Sequence, residues 1–464
     1  MKVLRSNLIR WGTLLFLLAL PLGTKKFLFS FGTPFSNSYT SEYDSAFLFG
    51  TDILLIGLLL LSGRGFFAQL KEWFRQYKRP AVFLILFLVL SLFSVLLAGY
   101  GYFAVYSFGR LALGVLAALM IGAALKSDII RFREVAAAIS LAAVFEAVLG
   151  FLQFILQKSV GLWFLGETVF GPGTPGIARI TVDGVGFARA YGTMPHANIL
   201  AGFLTLGLLA LFYLFLREER LNFKYSEVAG IFVILAGLFL TFSRSGWITV
   251  AVATVLFIIW ELLADKERRI KVVYLISVLL ASCVLLFVIL GWAISSRAHF
   301  SADEGPVRDR WSYDKIGVEL ILSHPLGVGI GNELFYAYQK KGLFENYGLN
   351  SPGQWQPIHN LYLMVSSETG IVGLIGFLAF IASLILLAIR SLGLGPPPQW
   401  RRYEERSEED DEGGNIRITT IMLAALLLFG LFDHFLWDLQ LGRLMLWVVI
   451  GILLGVRSRR NKPS

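Results

Sequence analysis

The sequence predicts an all-α membrane protein with about twelve transmembrane helices. Of its 464 residues, 56% are hydrophobic and only 16% are charged, and the mean hydropathy is +0.68. This composition is typical of a polytopic membrane protein and excludes an ordinary soluble domain. Apolar runs of about 17 to 25 residues, long enough to cross about 30 Å of hydrocarbon, recur along the whole chain.

The apolar runs fix the order of predicted helices. Nine precede residue 295 and three follow residue 369, and they lie near residues 11–29, 46–63, 80–99, 103–125, 134–157, 197–216, 226–243, 246–263, 272–294, 370–390, 417–436 and 443–456. We therefore expect transmembrane helices 1–9 in residues 1–294 and helices 10–12 in residues 370–456.

Lys and Arg concentrate in alternate loops, and this pattern predicts the orientation. Loops rich in Lys and Arg stay in the cytoplasm. The N-terminus and the tail, residues 457–464, fall on the basic side, so both termini are expected to be cytoplasmic. The net charge of +9 comes largely from these loops and gives no indication of nucleic-acid binding, whereas anionic lipid head groups would attract it.

Three polar segments interrupt the membrane pattern. Residues 158–195 form a Gly- and Pro-rich loop that we expect on the external side. Residues 391–416 combine prolines with a mixed-charge run and predict a disordered cytoplasmic loop. Residues 295–369, between helices 9 and 10, form the longest external segment. The single cysteine, Cys283, excludes an intrachain disulfide and a cysteine metal site.

The 295–369 segment is the natural place for chemistry, because irregular backbone must lie outside the hydrocarbon or against protein. Trp311 to Leu322 has apolar residues at three- and four-residue spacing, which predicts an amphipathic helix. Gly327, Gly329 and Gly331 predict a tight turn, and a second helix is expected near residues 333–341. Two short helices should therefore lie at the membrane surface.

Several arginines fall on the predicted external face, where the positive-inside rule disfavours them: Arg179, Arg189, Arg244, Arg297, Arg308 and Arg310. An arginine at this boundary is either a functional residue or one that reaches to lipid phosphate. Several that converge would bind pyrophosphate, since a guanidinium offers paired donors at fixed charge. No Asp-x-Asp or His-Glu pattern accompanies them, so we predict no metal and no cofactor.

Histidines supply the candidates for proton transfer. His359 opens a predicted helix and could accept a proton at neutral pH, although a structural helix-start role is the alternative. His196 occupies a similar position before another helix, where a structural role is favoured. His434 has Asp433 and Asp438 close by, so a supporting ion pair is favoured over catalysis.

Four motifs in order resemble the O-antigen ligase and polymerase superfamily. They are Arg189-Ala-Tyr-Gly-Thr-Met-Pro-His-Ala-Asn198, Ser243-Arg244-Ser-Gly246, the loop with Arg310 and His324-Pro-Leu-Gly-Val-Gly-Ile-Gly-Asn332, and His359-Asn-Leu-Tyr362 with Glu368-Thr-Gly370. By motif the resemblance covers about residues 185–380. It implies a fold related to the GT-C glycosyltransferases, with the large helical periplasmic loop over a lipid-facing cavity.

The resemblance also implies an activity and residue roles. Such enzymes take a glycan from undecaprenyl pyrophosphate at the periplasmic face of the bacterial inner membrane and pass it to an acceptor hydroxyl, with inversion and without a metal. By position, Arg244 and Arg310 would hold the pyrophosphate, and His359 would orient or deprotonate the acceptor. The remaining substrate-binding candidates are Arg189, Arg308, His196, Asn360, Tyr362 and Trp311, and Arg308 is a rival for the role of Arg310.

The choice within the superfamily stays open. The single His-Asn motif favours an O-antigen ligase with lipid A-core as acceptor. An O-antigen or exopolysaccharide polymerase and a protein O-oligosaccharyltransferase are the enzyme alternatives, because each needs a pyrophosphate site and an acceptor hydroxyl. A transporter of lipid-linked sugar is the non-enzyme alternative, but the chain shows no internal repeat and few carboxylates within its apolar runs.

Overall fold

The protein is a helical, multi-pass membrane protein. The computed structural model describes residues 2–32, 42–218, 221–264, 268–298, 305–340, 342–392 and 412–456, and it is 75% helical. Most of the predicted 391–416 loop and the predicted tail at 457–464 lie outside the described residues.

Sixteen α-helices and two β-hairpins make up the described part of the chain. The helices are α1 (Lys2–Leu18), α2 (Gly50–Gln76), α3 (Lys78–Ser94), α4 (Gly101–Lys126), α5 (Phe132–Leu156), α6 (Ala197–Arg217), α7 (Leu221–Leu240), α8 (Arg244–Ala264), α9 (Arg269–Ala298), α10 (Gly305–Ser323), α11 (Glu333–Gln339), α12 (Leu343–Asn346), α13 (Leu361–Leu392), α14 (Glu412–Phe429), α15 (Phe435–Asp438) and α16 (Gln440–Gly455). The antiparallel hairpins pair β1 (Lys25–Ser30) with β2 (Ser45–Phe49) and β3 (Arg179–Val182) with β4 (Val185–Ala188).

Nine helices of the described residues are long and apolar enough to cross a membrane, namely α2 to α6, α8, α9, α13 and α14. The predicted count of twelve also included α1, α7 and α16, and two of these are short, with 17 residues in α1 and 16 in α16. The predicted first span, 11–29, was wrong in its second half. Pro21 and Gly23 follow the end of α1, and residues 25–30 form the exposed strand β1.

Helix α6 lies at the centre of the bundle. In its most apolar stretch of 18 residues, 94% of the residues are buried, and the helix packs against α5, α7, α8 and α14. A helix that is apolar on all faces is stable where other helices surround it. The N-terminus of α6 follows His196, so this central helix brings the 189–198 segment to the middle of one end of the bundle.

The glycine-rich turn at residues 324–331 packs against a break in α13. Gly370 lies inside α13 with φ 78° and ψ 168°, and a Cβ there would come within 2.6 Å of the Leu326 carbonyl carbon. The backbone N–H groups of Val328 and Gly329 donate to the carbonyls of Ser367 and Glu368, at 2.8 and 3.0 Å. Only glycine fits this close approach at positive φ. The turn thereby packs on α13 at residues 367–370, on the helix that follows His359 in the chain.

The predicted helices of the 295–369 segment are present. Helix α10 covers the amphipathic stretch, and its Tyr313, Ile316 and Leu320 are buried while Trp311 and Lys315 face outward. Helix α11 begins at Glu333, as predicted, and ends at Gln339. Helix α10 packs against α13, which positions Tyr313 and Arg310 beside the start of that helix.

Candidate functional site

Four chain segments that are far apart in sequence meet at one end of the bundle. They are the turn and helix start at 189–198, the first half of α10, the turn at 357–360 before α13, and the turn at 433–438 between α14 and α16. Seven ionisable side chains of these segments form a cluster, called the His–Arg cluster below: His196, His359, His434, Arg189, Arg310, Asp433 and Asp438.

His359 is held in one orientation by three contacts. Its ring stacks on Tyr313 with centroids 5.0 Å apart and 19° between the planes, and it meets the edge of His434 at 4.7 Å. Its Nδ1 lies 2.8 Å from the carbonyl oxygen of Pro357. A carbonyl oxygen only accepts, so Nδ1 carries the hydrogen, and Nε2 of the neutral ring keeps a lone pair.

His434 is the fixed positive charge of the cluster. Its Nδ1 lies 2.7 Å from Asp438 Oδ2, and its Nε2 lies 4.0 Å from Asp433 Oδ1. Burial would lower the pKa of His434, but the Asp438 and Asp433 carboxylates outweigh it and raise that pKa to about 9. The predicted supporting ion pair of His434 is therefore present.

The charge on His434 also acts on His359. Burial lowers the pKa of His359, and the neighbouring His434 and Arg310 lower it further. His359 is thus neutral at physiological pH, which is the form that can accept a proton. The residue is half-buried, so part of its side chain remains exposed.

Asp433 joins the segments of the cluster. Asn198 Nδ2 donates to Asp433 Oδ2 at 2.8 Å, and Arg189 Nη2 donates to Asn198 Oδ1 at 2.8 Å. Arg310 Nη2 lies 4.0 Å from the same Asp433 oxygen. Burial would raise the pKa of Asp433, but the positive charges of His434 and Arg310 lower it well below the usual range, so Asp433 is ionised.

His196 has the opposite hydrogen-bonding pattern to His359. Its Nδ1 accepts the backbone N–H of Asn198 at 3.1 Å, which caps the start of α6. In the neutral ring Nε2 must then carry the hydrogen and can only donate. Burial lowers the pKa of His196 to about 3, and Arg189 lowers it as well. The His–Arg cluster therefore contains one neutral histidine that donates, His196, and one neutral histidine that can accept, His359.

A buried polar network fixes the turn that carries Arg189 and His196. Gln153 Oε1 accepts the Gly192 backbone N–H at 2.8 Å, and Glu146 accepts both the N–H and the hydroxyl of Thr193, each at 2.7 Å. The Arg189 Nε also donates to the Thr241 carbonyl. An irregular turn among transmembrane helices needs such partners, since unpaired backbone groups are costly there.

The two rival arginines of α10 occupy different places. Arg310 is 37% exposed and lies beside Asp433, whereas Arg308 is 64% exposed and its Nε lies 3.9 Å from its neighbour Asp309. Trp311 is 63% exposed. The geometry thus brings Arg310 into the His–Arg cluster and leaves Arg308 and Trp311 largely exposed on α10.

Asn360 and Tyr362 have structural partners. Asn360 Oδ1 accepts the backbone N–H groups of Tyr362 and Leu363, at 2.9 and 3.2 Å, which is a helix N-cap. The Tyr362 hydroxyl donates to the Leu427 carbonyl at 2.7 Å and ties α13 to α14. Arg244 begins α8, three residues after the Thr241 carbonyl that holds Arg189, and it is half-buried.

The sequence interpretation missed the central role of three residues: Tyr313, Asn198 and Asp433. Asn198 and Asp433 are 235 positions apart, so no local pattern connects them. The available signal was the unusual density of polar groups in Asp433-His434-Phe-Leu-Trp-Asp438 next to apolar runs, since buried charges in a membrane protein are costly without a partner.

The same segments bear on the comparison with known families, because residues 243–370 hold most of the predicted motifs. Residues 229–378 match the family model for O-antigen ligase. The matched region runs from α7 to the middle of α13, and over it the resemblance to the O-antigen ligase and polymerase superfamily is confirmed. A comparison with curated proteins gave no match.

The matched region, residues 229–378, contains only part of the His–Arg cluster. Arg310 and His359 lie inside it, and Arg189, His196 and Asp433 lie outside. The outer residues nevertheless contact the inner ones through Asn198 and Asp433. The cluster therefore depends on the matched region together with the start of α6 and the 433–438 segment.

Proposed function

We propose that the protein is a lipid-linked oligosaccharide glycosyltransferase of the O-antigen ligase type. It moves a glycan from undecaprenyl pyrophosphate to a hydroxyl of lipid A-core at the periplasmic face of the bacterial inner membrane, with inversion and independently of metal. The observation that carries the proposal is the neutral His359 ring, with Nδ1–H on the Pro357 carbonyl and Nε2 left to accept a proton, within a cluster that contains Arg310.

His359 acts as the general base in this proposal. The acceptor hydroxyl gives its proton to His359 Nε2 while its oxygen attacks the anomeric carbon of the donor sugar. The bond from that carbon to the pyrophosphate oxygen breaks, and its electron pair stays on the pyrophosphate. One displacement at the anomeric carbon inverts its configuration, and a base in the correct position contributes typically about 10²- to 10⁴-fold to the rate.

Arg310 and Arg244 hold the pyrophosphate and stabilise the charge that grows on it as it leaves. Arg310 suits this role because its guanidinium is part-exposed and only loosely paired, at 4.0 Å from Asp433. Fixed cationic donors at the position of developing charge contribute several kcal/mol in a site with little water. His196 Nε2–H offers a neutral donor beside them, and Arg189 orients this side through Asn198.

The arrival of the pyrophosphate also improves His359 as a base. A phosphate anion near the ring favours its protonated form and so raises a pKa that burial and His434 hold low. A base is most effective when its pKa lies near the working pH. Donor binding would thereby bring the pKa of His359 closer to the working pH.

Transfer of radiolabelled glycan from undecaprenyl pyrophosphate by the purified protein in lipid nanodiscs with EDTA tests the proposal. Lipid A-core is the acceptor, and His359→Gln and Arg310→Ala are compared with the wild type. The proposal predicts label on lipid A-core with the wild type alone.

The products distinguish the alternatives. Longer lipid-linked glycan without label on lipid A-core would identify a polymerase, and label on added protein would identify a protein O-oligosaccharyltransferase. Movement of intact donor across the bilayer without cleavage would identify a transporter.

A further inference from the structure

A polar cavity lies directly behind the His–Arg cluster. It has a volume of about 50 Å³, is partly open, and is bounded by α4, the 330–334 segment, α13 and the start of α16. Asp438, which holds His434, and Pro357, which holds His359, both line it. The cavity and the cluster are therefore adjacent, and these two residues belong to both.

The walls combine aromatic rings with charged and amide side chains. The aromatic residues are Tyr43, Phe49, Phe103, Tyr106 and Trp437. The charged and amide residues are Glu42, Arg110, Glu368, Asp438, Gln440 and Arg443. An apolar and aromatic lining with a few convergent polar groups is the usual composition of a small-molecule site.

Three lining residues have a buried polar atom with no hydrogen-bond partner in the described part of the chain: Arg110 Nη2, Glu368 Oε1 and Asp438 Oδ1. Arg110 and Glu368 are 6% and 1% exposed. Each has a second polar atom that is engaged: Arg110 Nη1 donates to Asp52 at 2.6 Å, and Glu368 Oε2 accepts from Trp437 at 2.6 Å. The backbone N–H groups of Gly331 and Glu333 also face the Glu368 carboxylate. Buried polar atoms without partners are costly, so they indicate a bound group.

The mixture of orphaned atoms restricts what that group can be. Two carboxyl oxygens need donors, and one guanidinium nitrogen needs an acceptor. An anion would pair with Arg110 but would be repelled by the two carboxyl groups. A cation would pair with the carboxyl groups but would be repelled by Arg110. A neutral group that both donates and accepts satisfies all three, and hydroxyl groups do so.

We propose that this cavity binds the hydroxyl-bearing edge of a sugar residue. The sugar hydroxyls bridge Arg110, Glu368 and Asp438, and its apolar face packs on the aromatic walls beside Arg110, where Phe49 and Tyr106 have ring centroids 4.8 and 5.9 Å from the guanidinium carbon. Without a sugar, the cavity has room for about three to five water molecules. The inference rests on the proposed function for the source of the sugar, either the acceptor core or the donor glycan.

Position 107 offers a way to fill the cavity. Ser107 lines it on α4, one turn before Leu111, which lines it too. Ser107→Leu and Leu111→Phe each add side-chain volume inside the cavity, at positions one helical turn apart on α4. Ser107→Ala changes the same position without filling it, and Val105→Leu changes a residue that is 61% exposed on the same helix. A thermal unfolding scan in nanodiscs shows which variants fold.

Calorimetric titration of the nanodisc protein with two lipid-free probes tests the proposal without any turnover. The probes are core oligosaccharide and a single O-antigen repeat oligosaccharide, so that their order of affinity identifies acceptor or donor as the source. We expect one probe to bind the wild type, Ser107→Ala and Val105→Leu alike, and to bind the folded filled variants about tenfold or more weakly.

Binding of neither probe to the wild type, or equal binding by the filled variants, would overturn the proposal and assign the cavity to water alone. These results are separable from those of the transfer reaction. Sugar binding without transfer would contradict the proposed function and leave this inference standing. Transfer with unchanged sugar binding in the filled variants would support the proposed function and contradict this inference.

Discussion

The ring of Tyr313 stacks on the ring of His359, with centroids 5.0 Å apart and 19° between their planes. The Tyr313 hydroxyl donates to the Gln354 carbonyl, which anchors α10 to the segment before His359. The amphipathic helix α10 therefore does more than cover the membrane surface, because it sets the plane of the imidazole that we propose as the base.

Removal of this stacking should slow transfer without weakening donor binding. We expect Tyr313→Ala to lower kcat by about 10- to 100-fold, because a misplaced base loses most of its contribution. Tyr313→Phe keeps the ring and should retain kcat within about threefold. Steady-state kinetics in nanodiscs check this, and equal losses in both variants would contradict the role given to stacking.

Arg310 and Arg308 lie on the same helix, α10, so the second arginine offers a matched control for substitution of the first. We expect Arg310→Ala to lower kcat/KM for the donor by about 10²-fold or more, since it loses a donor to the leaving pyrophosphate. Arg308→Ala, which removes an exposed side chain, should change it by less than about threefold. Equal defects in the two variants would show that Arg310 has no special place in the site.

The low pKa of His359 predicts the pH dependence of transfer. Burial and His434 lower this pKa to about 3, so the free enzyme keeps a neutral His359 as the pH falls from 7 to 5. We expect kcat/KM to stay constant over that range. As the pH is lowered, kcat should begin to fall at a higher pH than kcat/KM does, because bound pyrophosphate raises the pKa of His359. His434→Gln removes a positive charge and should move the acid limb of kcat/KM upward. A wild-type kcat/KM whose acid limb lies at or above pH 6.5 would contradict this low pKa of His359.

The N-cap at Asn360 should contribute to stability rather than to chemistry. Asn360→Ala removes the acceptor for two backbone N–H groups and should cost about 1 kcal/mol, whereas Asn360→Asp keeps the cap. We expect a lower Tm for the alanine variant alone, measured in nanodiscs. A wild-type Tm with lost transfer in Asn360→Ala would instead indicate direct contact with substrate.

Much of the fold was predictable from hydrophobic periodicity. The runs near 103–125, 134–157 and 197–216 match α4, α5 and α6 to within two residues at each end, since membrane thickness fixes helix length. The break of α13 at Gly370 and the β3–β4 hairpin were not predicted. Both depend on contacts with distant backbone, and a local pattern carries no information about such contacts.

The site was predictable in its residue types and only partly in its geometry. His359, Arg310, Arg189 and His196 were singled out, and the structure brings them together. Their connection runs through Asn198 and Asp433, whose hydrogen bond crosses 235 positions of the chain. The separation of Arg310 from Arg308 likewise follows from how α10 lies on α13, which the sequence alone does not specify.

The account depends most directly on His359 as the base. The measurement that tests it is single-turnover transfer by His359→Gln, with donor affinity measured on the same nanodisc preparation. The account predicts a transfer rate at least about 10²-fold lower with donor affinity within about threefold of the wild type, because a base acts only as the bond breaks. Wild-type transfer by His359→Gln with normal donor binding would contradict it.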